Sequence, residues 1–415
     1  MGKLSSAVFY ILHHPLFESD SRVDFSNFPS DQRLKSILGA RTHKMTTPAF
    51  ILDAGIVKQR YDTAKKEFHK YWKNVSIAYS FKTNYAPINI IRQLGGHAEV
   101  TSGRELRLAL SRGYSGDKIV YNGPHKDMAS LKTAIHKGVH IQADNVQELF
   151  DLGMLSKKMR VPVQIGCRLR LSGIGMPPSH FGMTHRDLFH ADVLKLFKKH
   201  PHIRLRGVHF HAGTDVDNCQ VFEQSARVAG ETIQQLADEN IHVDYVNCGG
   251  GVMSHARKPF GRRTWGAYDF SDYVRALWTG ISTGYSRTEK LHVFIEPGRY
   301  LIDDAVVFAA RVLRVKSERF KQTLYIDGTT AMLPLSQYRP QMIRSFSDSP
   351  SFRHAPVTPT IIFGATCRED DIPYRGWLTR VLQGDILIFY CAGAYNQSLG
   401  ADFIFQKPDT HILPM

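Results

Sequence analysis

Short apolar runs alternate with segments of helical spacing along most of the chain. Leu106, Ala109 and Leu110, for example, fall at i, i+3 and i+4, the spacing of one helix face. Eight apolar runs predict strands, near Val75–Phe81, Ala98–Val100, Lys118–Tyr121, Val139–Ala143, Val163–Leu171, Leu205–His211, Val243–Asn247 and Leu291–Ile295. Eight strands separated by helical segments favour an α/β fold of the (β/α)8 TIM-type barrel class. A doubly wound α/β sheet is the alternative, but no G-x-G-x-x-G follows the first run.

The alternation stops after Tyr300, and the remaining pattern predicts a second, mainly β domain. Its apolar runs are Ala305–Val315, Thr323–Ile326, Thr358–Phe363, Ile386–Tyr390 and Phe403–Phe405, of which the first is equally compatible with a helix. Near the N-terminus, Val23–Phe25 and Ile37–Gly39 are candidates for short strands or turns. We expect a barrel over residues 48–300. Residues 1–47 and 301–415 are expected to form the β-rich domain together, because both segments lie outside the barrel.

Composition narrows the function. The 415 residues carry a formal net charge of +15, but lysine and arginine are spread along the chain rather than clustered. This distribution suits an enzyme with an anionic substrate or cofactor better than a nucleic-acid-binding protein. Five cysteines without a C-x-x-C pair argue against a disulfide framework or a metal site and favour a reducing cytoplasm. The apolar run Ala7–Leu12 is too short for a signal sequence or a membrane span, so no membrane partner is expected.

A lysine stands at the end of the first predicted barrel strand. The run Val75–Phe81 is largely apolar, and Lys82 follows it directly. Burying a lysine there is costly unless the amine forms a covalent or ionic bond. Taken alone, the position also suits a lysine that extends into solvent.

Glycine motifs follow the last two predicted barrel strands, where barrel enzymes commonly bind phosphate. Gly249-Gly250-Gly251 follows the seventh strand and Gly298-Arg299 follows the eighth. Glycines let backbone N–H groups approach phosphate oxygens, and an arginine adds a rigid fork of donors. Glu296 ends the eighth strand and His211 ends the sixth. With Lys82, these residues predict a pyridoxal phosphate (PLP) site, in which a carboxylate would pair with the pyridine nitrogen.

In combination, these motifs resemble those of the fold-type III PLP-dependent decarboxylases. That family includes ornithine, diaminopimelate and siderophore-pathway decarboxylases, and the resemblance extends over roughly residues 47–405. The matching stretches are Tyr79–Asn84 (family pattern Y-x-x-K-A-N), Phe210–Thr214 (F-H-V-G-S), Glu296–Arg299 (E-P-G-R), Gly364–Cys367 (G-P-T-C) and Ala392–Tyr395 (A-G-A-Y).

The resemblance implies a role for each matching residue. Lys82 would hold PLP as a Schiff base, His211 would stack on the cofactor ring, and Thr214 and Tyr395 would approach its phosphate. The implied catalytic residues are Lys82, Cys367, His211 and Glu296, and the implied cofactor-binding residues are Lys82, Glu99, Arg168, His211, Thr214, Gly249, Gly250, Gly251, Glu296, Gly298, Arg299 and Tyr395. Among these, Glu99 and Arg168 stand where the family has an acid–base pair under the cofactor.

The resemblance also implies a homodimer with shared active sites. Cys367 would reach the partner's site as a proton donor, and Asp371 would face a distal amine of a small amino-acid substrate. A cysteine suits that task because its ordinary pKa of about 8.5 keeps most of the thiol protonated at neutral pH.

Departures from the family pattern bear on the substrate. Diaminopimelate decarboxylases have Glu directly after the motif cysteine, where this chain has Arg368. Their R-P-x-L-Y-x-A stretch is represented only by Leu335–Pro340, which supplies Tyr338 as a further candidate substrate contact. Gly328–Thr330 and Leu333–Leu335 are more similar to the siderophore branch.

We therefore expect α-decarboxylation of a basic or diamino acid, or of a related conjugate, in a specialised pathway. The alternatives are an amino-acid racemase of the same fold and a non-catalytic PLP-binding homologue. A racemase of the alanine type would have Arg rather than Glu296 at the pyridine nitrogen, and an inactive homologue would be expected to lose Lys82 or Cys367.

Overall fold

The computed structural model describes residues 28–38, 46–171, 179–254, 258–260, 263–265, 268–339, 342–346 and 357–415. The run Val23–Phe25, a candidate strand or turn, lies outside these residues. Within the described part of the chain, none of the helices combines the length and the apolar character that crossing a membrane requires.

The strands are β1 Ala49–Asp53, β2 Val75–Ser80, β3 His97–Val100, β4 Ile119–Tyr121, β5 His140–Ala143, β6 Val163–Arg168, β7 Ile203–His209, β8 Tyr245–Asn247, β9 Lys258–Phe260, β10 Arg263–Trp265, β11 His292–Ile295, β12 Val306–Ser317, β13 Gln322–Ile326, β14 Ile343–Phe346, β15 Val357–Phe363, β16 Tyr374–Thr379, β17 Ile386–Phe389 and β18 Thr410–Leu413. The α-helices are α1 Asp31–Leu38, α2 Ala54–Phe68, α3 Ile88–Gln93, α4 Gly103–Ser111, α5 Met128–Lys137, α6 Val146–Met159, α7 His185–Leu188, α8 Ala191–Lys199, α9 Cys219–Asp238, α10 Phe270–Gly284, α11 Arg299–Ile302 and α12 Asn396–Leu399.

Eight parallel strands close into a barrel in the order β11-β2-β3-β4-β5-β6-β7-β8. Helices fill the connections between them, so the predicted (β/α)8 fold is confirmed. The strands β6 and β7 end more than one residue earlier than the apolar pattern predicted. β6 stops at Arg168, because Leu169 forms an isolated bridge with Met183. β7 stops at His209, which places His211 in the following loop rather than at the strand end.

Two aromatic rings fill the middle of the barrel. Tyr245 and Phe294 are buried with their ring centroids 5.2 Å apart. The strands facing Tyr245 carry glycine for a steric reason: a Cβ on Gly207 would lie 2.3 Å from the tyrosine ring, and one on Gly166 would lie 2.5 Å from its hydroxyl. This interior is therefore packed like a core and separates the two ends of the barrel.

The second domain is an eight-stranded sheet. Its main path runs β14-β17-β12-β13-β15-β16, and β1 pairs with both β12 and β18. The segment that sequence left open between helix and strand forms the strand β12. The strand β1 lies inside the sequence range expected for the barrel but belongs to this sheet, antiparallel to β12. All five residues of β1 are buried, so its apolar pattern is the same as that of a barrel strand.

Three smaller segments differ from their predictions. Ile37 and Leu38 end the helix α1 rather than forming a strand or turn. Phe403 and Phe405 form only an isolated bridge, because the chain turns there with Ile404 at a φ of 61°. The strand β18, which pairs with β1, was not predicted from the sequence.

The helix α1 joins the N-terminal segment to the second domain. Phe28 and Leu34 are buried in one apolar cluster with side chains from β1, β12 and β17. The Arg33 guanidinium lies 2.7 Å from the Asp53 carboxylate, which also accepts the Gly55 N–H at the start of α2. The link between the two domains is therefore anchored by a buried carboxylate.

Candidate active site

Lys82 lies in a single 3-10 turn, Phe81–Thr83, that leaves the end of β2. Its Nζ lies 2.5 Å from Glu99 Oε2 on the neighbouring strand β3. Burial lowers the pKa of Lys82, but the negative charges of Glu99 and Glu296 outweigh that effect and raise it above its ordinary value. The amine is therefore held as an ammonium ion between two carboxylates.

Glu99 and Glu296 are both almost fully buried and are held together by one amide. Asn122 Nδ2 donates to Glu99 Oε1 at 3.0 Å and to Glu296 Oε1 at 2.8 Å. Asn247 adds a second donor to Glu296 at 2.6 Å. Burial and the charge of Glu99 raise the pKa of Glu296 to about 7, against the opposing effect of Lys82. Burial also raises the pKa of Glu99, but the ammonium of Lys82 outweighs it, so the net shift is downward.

Two histidines at the end of β7 face this group. His209 is fully buried, and its Nε2 lies 3.6 Å from Glu296 Oε2. His211 Nδ1 accepts the Gly250 N–H at 3.1 Å, so that nitrogen carries no proton. Burial, reinforced by the positive charges of Arg168 and Lys82, lowers the pKa of His211 to about 3. Both imidazoles are therefore neutral at physiological pH.

The glycine triplet forms a close-fitting turn beside His211. Gly249 and Gly251 have φ of 62° and 96°, a region that favours glycine. A Cβ on Gly250 would lie 2.5 Å from the Glu296 carbonyl, and one on Gly298 would lie 2.2 Å from Thr83 Oγ1. Backbone N–H groups in such a turn form a concave anion-binding surface.

Residues of the second domain reach the lysine turn. Tyr395 N donates to Thr83 O at 2.8 Å, and Asn84 Nδ2 donates to Gly393 O at 2.8 Å. Tyr395 has a φ of 64° and lies under the Arg299 guanidinium, 5.2 Å from ring centroid to Cζ. The A-G-A-Y segment is thus placed against the loop that carries Lys82.

Arg299, an expected cofactor contact, already has partners in the chain. Arg299 Nε lies 2.6 Å from Asp215 Oδ1, and its Nη1 lies 3.7 Å from Asp303. Thr214, by contrast, is exposed on the same loop. Carboxylates therefore match the charge of Arg299, and the N–H groups of Gly249 and Gly250 already donate to Asn247 Oδ1 and His211 Nδ1.

Glu99 and Arg168 do not pair with each other as the resemblance implied. Glu99 is occupied by Lys82 and Asn122, whereas Arg168 lies 3.5 Å from Asp144 and over the Phe181 ring. Arg168 acts on the site through its charge, which lowers the pKa of both His209 and His211.

Asp371, which was expected to face the substrate, is buried and fully hydrogen-bonded. Its two carboxylate oxygens accept the backbone N–H and hydroxyl of Thr330 and of Thr366, at 2.6–3.1 Å. In this chain Asp371 therefore stabilises the loop after β15 instead of presenting a free carboxylate. Cys367 and Tyr338 are exposed on the second domain. Among the described residues, the hydrogen bonds and ion pairs of Lys82 include neither of them.

Asn122, Asn247 and His209 belong to the site but were missed in the sequence. Each stands at the last position of a barrel strand or directly after it, like Glu296. That shared position is the signal that could have identified them, because inward-facing residues at the carboxyl ends of barrel strands converge.

Comparison with known proteins identifies the class that this fold and site define. The family model "Pyridoxal-dependent decarboxylase, pyridoxal binding domain" matches residues 54–303, and "Pyridoxal-dependent decarboxylase, C-terminal sheet domain" matches residues 299–393. The chain belongs to the PLP-dependent decarboxylases of this family, and its cofactor is PLP.

Individual relatives are distant but similar over nearly their whole length. Diaminopimelate decarboxylase of Pseudomonas fluorescens is 24% identical over 88% of this chain and 87% of its own. The probable chloroplastic diaminopimelate decarboxylase of rice is 26% identical over 89% of this chain and 75% of its own. Two solved structures share the fold. Diaminopimelate decarboxylase of M. jannaschii has a TM-score of 0.79 at 21% identity, covering 89% of this chain and 87% of its own. The arginine decarboxylase of Paramecium bursaria Chlorella virus has a TM-score of 0.78 at 18% identity, covering 92% and 100%.

The residues present fit this cofactor. The glycine turn leaves no room for side chains, and a backbone without side chains can approach a phosphate closely. Glu296 is a buried carboxylate with an elevated pKa, and a pyridinium partner would stabilise its ionised form. Among the described residues, Lys82 is the only lysine whose amine forms a hydrogen bond with Glu99.

Proposed function

We propose that this chain removes the α-carboxylate of a basic or diamino acid, or of a related conjugate, in a specialised biosynthetic pathway of the cytoplasm. The observation that carries the proposal is the pairing of Lys82 with the buried carboxylates of Glu99 and Glu296 beside the glycine turn. Several relatives are diaminopimelate decarboxylases, and one similar structure is an arginine decarboxylase, so the relatives act on basic or diamino acids.

Each residue of this group has a task in such a reaction. PLP, when bound, supplies an electron sink for the electron pair that stays on the α-carbon when carbon dioxide leaves. Lys82 would hold the cofactor covalently, and Glu296 would keep its pyridine nitrogen protonated. His211, neutral and fixed by the Gly250 N–H, would pack against the ring, and the glycine turn would bind the phosphate.

Asp371 already accepts four hydrogen bonds, so exposed acids of the same loop are further candidates to bind a distal ammonium group. The loop after Cys367 exposes Glu369 and Asp370, whereas Asp371 is buried. Asp370 is paired in this chain with Arg368, at 2.6 Å and 2.9 Å. We propose that Glu369 and Asp370 are the acids available to the substrate's distal amine, and that Tyr338 borders the same surface of the second domain.

We further propose a homodimer in which Cys367 completes the partner's site. Close to Cys367, the consecutive side chains of Phe403, Ile404 and Phe405 are 42–59% exposed, and the Arg368 guanidinium lies 5.9 Å from the Phe403 ring. Contiguous exposed apolar side chains of this kind are typical of protein interfaces. A closed two-fold dimer would cover this surface on both subunits.

Mixing two inactive variants tests the shared site. Lys82→Ala and Cys367→Ala should each be nearly inactive, whereas their mixture should regain activity after subunit exchange, because one site of each mixed dimer is intact. Lys82→Ala mixed with Glu296→Gln is the matched control. Both of those changes lie in the barrel, so neither site of a mixed dimer is intact. Absence of recovery in the first mixture, with exchange verified by native mass spectrometry, would show that Cys367 does not act across the interface.

The reaction itself is tested by incubating the PLP-loaded enzyme with a panel of amino acids. We expect carbon dioxide and the corresponding amine from one or more basic or diamino acids, detected by mass spectrometry, and none from apolar amino acids. Loss of stereochemistry at the α-carbon without carbon dioxide would instead identify a racemase.

A further inference from the structure

Lys126 is a fully buried lysine next to the active site, in the loop between β4 and α5. Its ammonium group has no exposed surface and uses three donors, to Glu148 Oε1 at 2.8 Å and to the carbonyls of Gly123 and Gln142 at 2.9 Å each. Removing an ammonium group from water is costly, and the pair is tolerated only because every N–H has an acceptor. Burial lowers the pKa of Lys126, and the charge of Glu148 opposes that shift.

The contacts of Lys126 extend to Arg168. The second oxygen of Glu148 accepts the Asp144 N–H at 2.8 Å, and the Asp144 carboxylate lies 3.5 Å from Arg168. Lys126 therefore connects the loop after β4 with the ends of β5 and β6, on the side of the barrel that carries the site.

The preceding strand–helix unit of the barrel, β3 and α4, shows that a strand–helix connection of this kind forms without an ion pair. Glu105 accepts the Thr101 N–H at 2.8 Å across four residues, as Glu148 does for Asp144. Its other oxygen, however, accepts the neutral hydroxyl of Tyr85 at 3.0 Å. A strand–helix connection of the same design thus forms with a neutral donor. The connection alone therefore does not explain why Lys126 carries a buried charge.

The loop that Lys126 closes begins with Asn122, the amide that bridges Glu99 and Glu296. Lys126 holds the carbonyl of the next residue, Gly123, whose φ is 104° and whose Cβ position would lie 2.7 Å from Thr101 O. The backbone beside Asn122 is therefore held between β3 on one side and Lys126 on the other. An amide that donates to two carboxylates tolerates little displacement, because hydrogen bonds weaken steeply when misaligned.

We propose that Lys126 is a positioning residue of the active site, which holds Asn122 so that its amide donates to Glu99 and Glu296 together. This inference rests on the proposed function, since the two carboxylates are its catalytic group. Without the Asn122 donor, the ionised forms of both carboxylates lose a charged hydrogen bond. Other titratable groups that face the two carboxylates are not replaced in the test below; they are Lys82, His209, His211, Tyr245, Cys248 and Tyr273. Among them, His209 also responds to the charge of Lys126, which contributes to lowering its pKa.

The test uses the double variant Lys126→Met with Glu148→Gln, which removes both buried charges and leaves no ion unpaired. Tyr85→Phe with Glu105→Gln is the matched control in the earlier unit. We measure kcat and KM against pH, and, without substrate, the pH dependence of the visible absorption of the bound cofactor. Losing one charged hydrogen bond should lower kcat by about 10-fold or more. It should also move the acid limb of the kcat–pH profile to a pH that is higher by about one unit. KM should change little, and the control should keep the wild-type limb.

A single variant, Glu148→Gln, covers the case in which the double variant does not fold, and it should shift the limb in the same direction by a smaller amount. An unshifted acid limb and unshifted absorption titration in the folded variants would overturn the inference, as would an equal shift in the control. The absorption titration needs no turnover. Failure of the wild-type enzyme to release carbon dioxide would therefore reject the proposed function without deciding the role of Lys126.

Discussion

The two ends of the barrel use equivalent inward-facing positions in opposite ways. On β3, His97 and Glu99 are two residues apart and face the same side of the strand, one at each end of the barrel. At the N-terminal end, the rings of His97, His140 and His292 lie 4.6–5.8 Å from the ring of Phe294. Ser76 Oγ lies 2.8 Å from His292 Nε2 and 3.3 Å from His97 Nε2. This end is closed by packed imidazoles.

The charges at the two ends differ accordingly. Burial, with the nearby positive charge of Lys118, lowers the pKa of His97 to about 3, and burial with His140 lowers that of His292 to about 4. These rings are neutral at physiological pH. At the other end, the buried Glu99 and the partly exposed Lys82 both remain charged, because each supplies the other's counter-ion. Burial keeps the imidazoles neutral at the N-terminal end. At the other end, the attraction between Lys82 and Glu99 outweighs the effect of burial.

The largest expected effect comes from neutralising a carboxylate at the charged end. Glu296→Gln should keep PLP bound but lower kcat by about 10²-fold or more, the scale of one lost electrostatic contact in an active site. Steady-state kinetics and the cofactor absorbance measure the two effects separately. The matched change at the other end, His292→Gln, should leave kcat within a small factor of wild type. Equal losses of kcat in both variants would remove the distinction between the ends.

A smaller effect is expected from the packed layer that separates the ends. In Gly207→Ala, the new methyl group would lie 2.3 Å from the Tyr245 ring. Overpacking of this kind should lower the free energy of unfolding by about 3 kcal/mol, measured by chemical denaturation. Gly138→Ala has open space around it and serves as a control for glycine replacement, although its own φ of 68° adds some strain. Equal destabilisation by both changes would show that the Tyr245 packing is not the cause.

The smallest effect concerns stability in acid. His97 has a pKa of about 3 in the folded chain and about 6.5 when unfolded, so only the unfolded state gains a proton as the pH falls below 6.5. Stability is complete above pH 6.5 and declines below it, by roughly 2 kcal/mol at pH 5 for this one residue. His97→Gln should therefore flatten the acid limb of the unfolding free energy. Because His209 and His211 contribute their own decline, the variant is compared with wild type, and an identical slope would refute the assignment.

The barrel was predictable because its strands are short apolar runs separated by helical segments. The assignment of β1 to the second sheet was not predictable, because a fully buried strand has the same apolar pattern in either sheet. Only its pairing with β12 decides between the two sheets. The strand β18 was not predicted either, because Thr410–Leu413 is short and its buried and exposed residues alternate only weakly.

The residues of the candidate site that belong to sequence motifs were predictable. Lys82, Glu296, His211 and the glycine turn converge as expected at one end of the barrel. The function of Asp371 could not be read from its place after Cys367, because its partners Thr330 and Thr366 are set by how two loops pack. The histidine layer was also missed, although each of its three histidines begins a barrel strand.

We propose that the charged end of the barrel binds PLP covalently through Lys82. The most direct measurement is borohydride reduction of the PLP-loaded enzyme, followed by proteolysis and mass spectrometry of the labelled peptide. We predict a single labelled peptide whose modified residue is Lys82, and no label in Lys82→Ala. A label on another lysine, such as the buried Lys126, or cofactor that reduction leaves unattached to the chain, would contradict the claim.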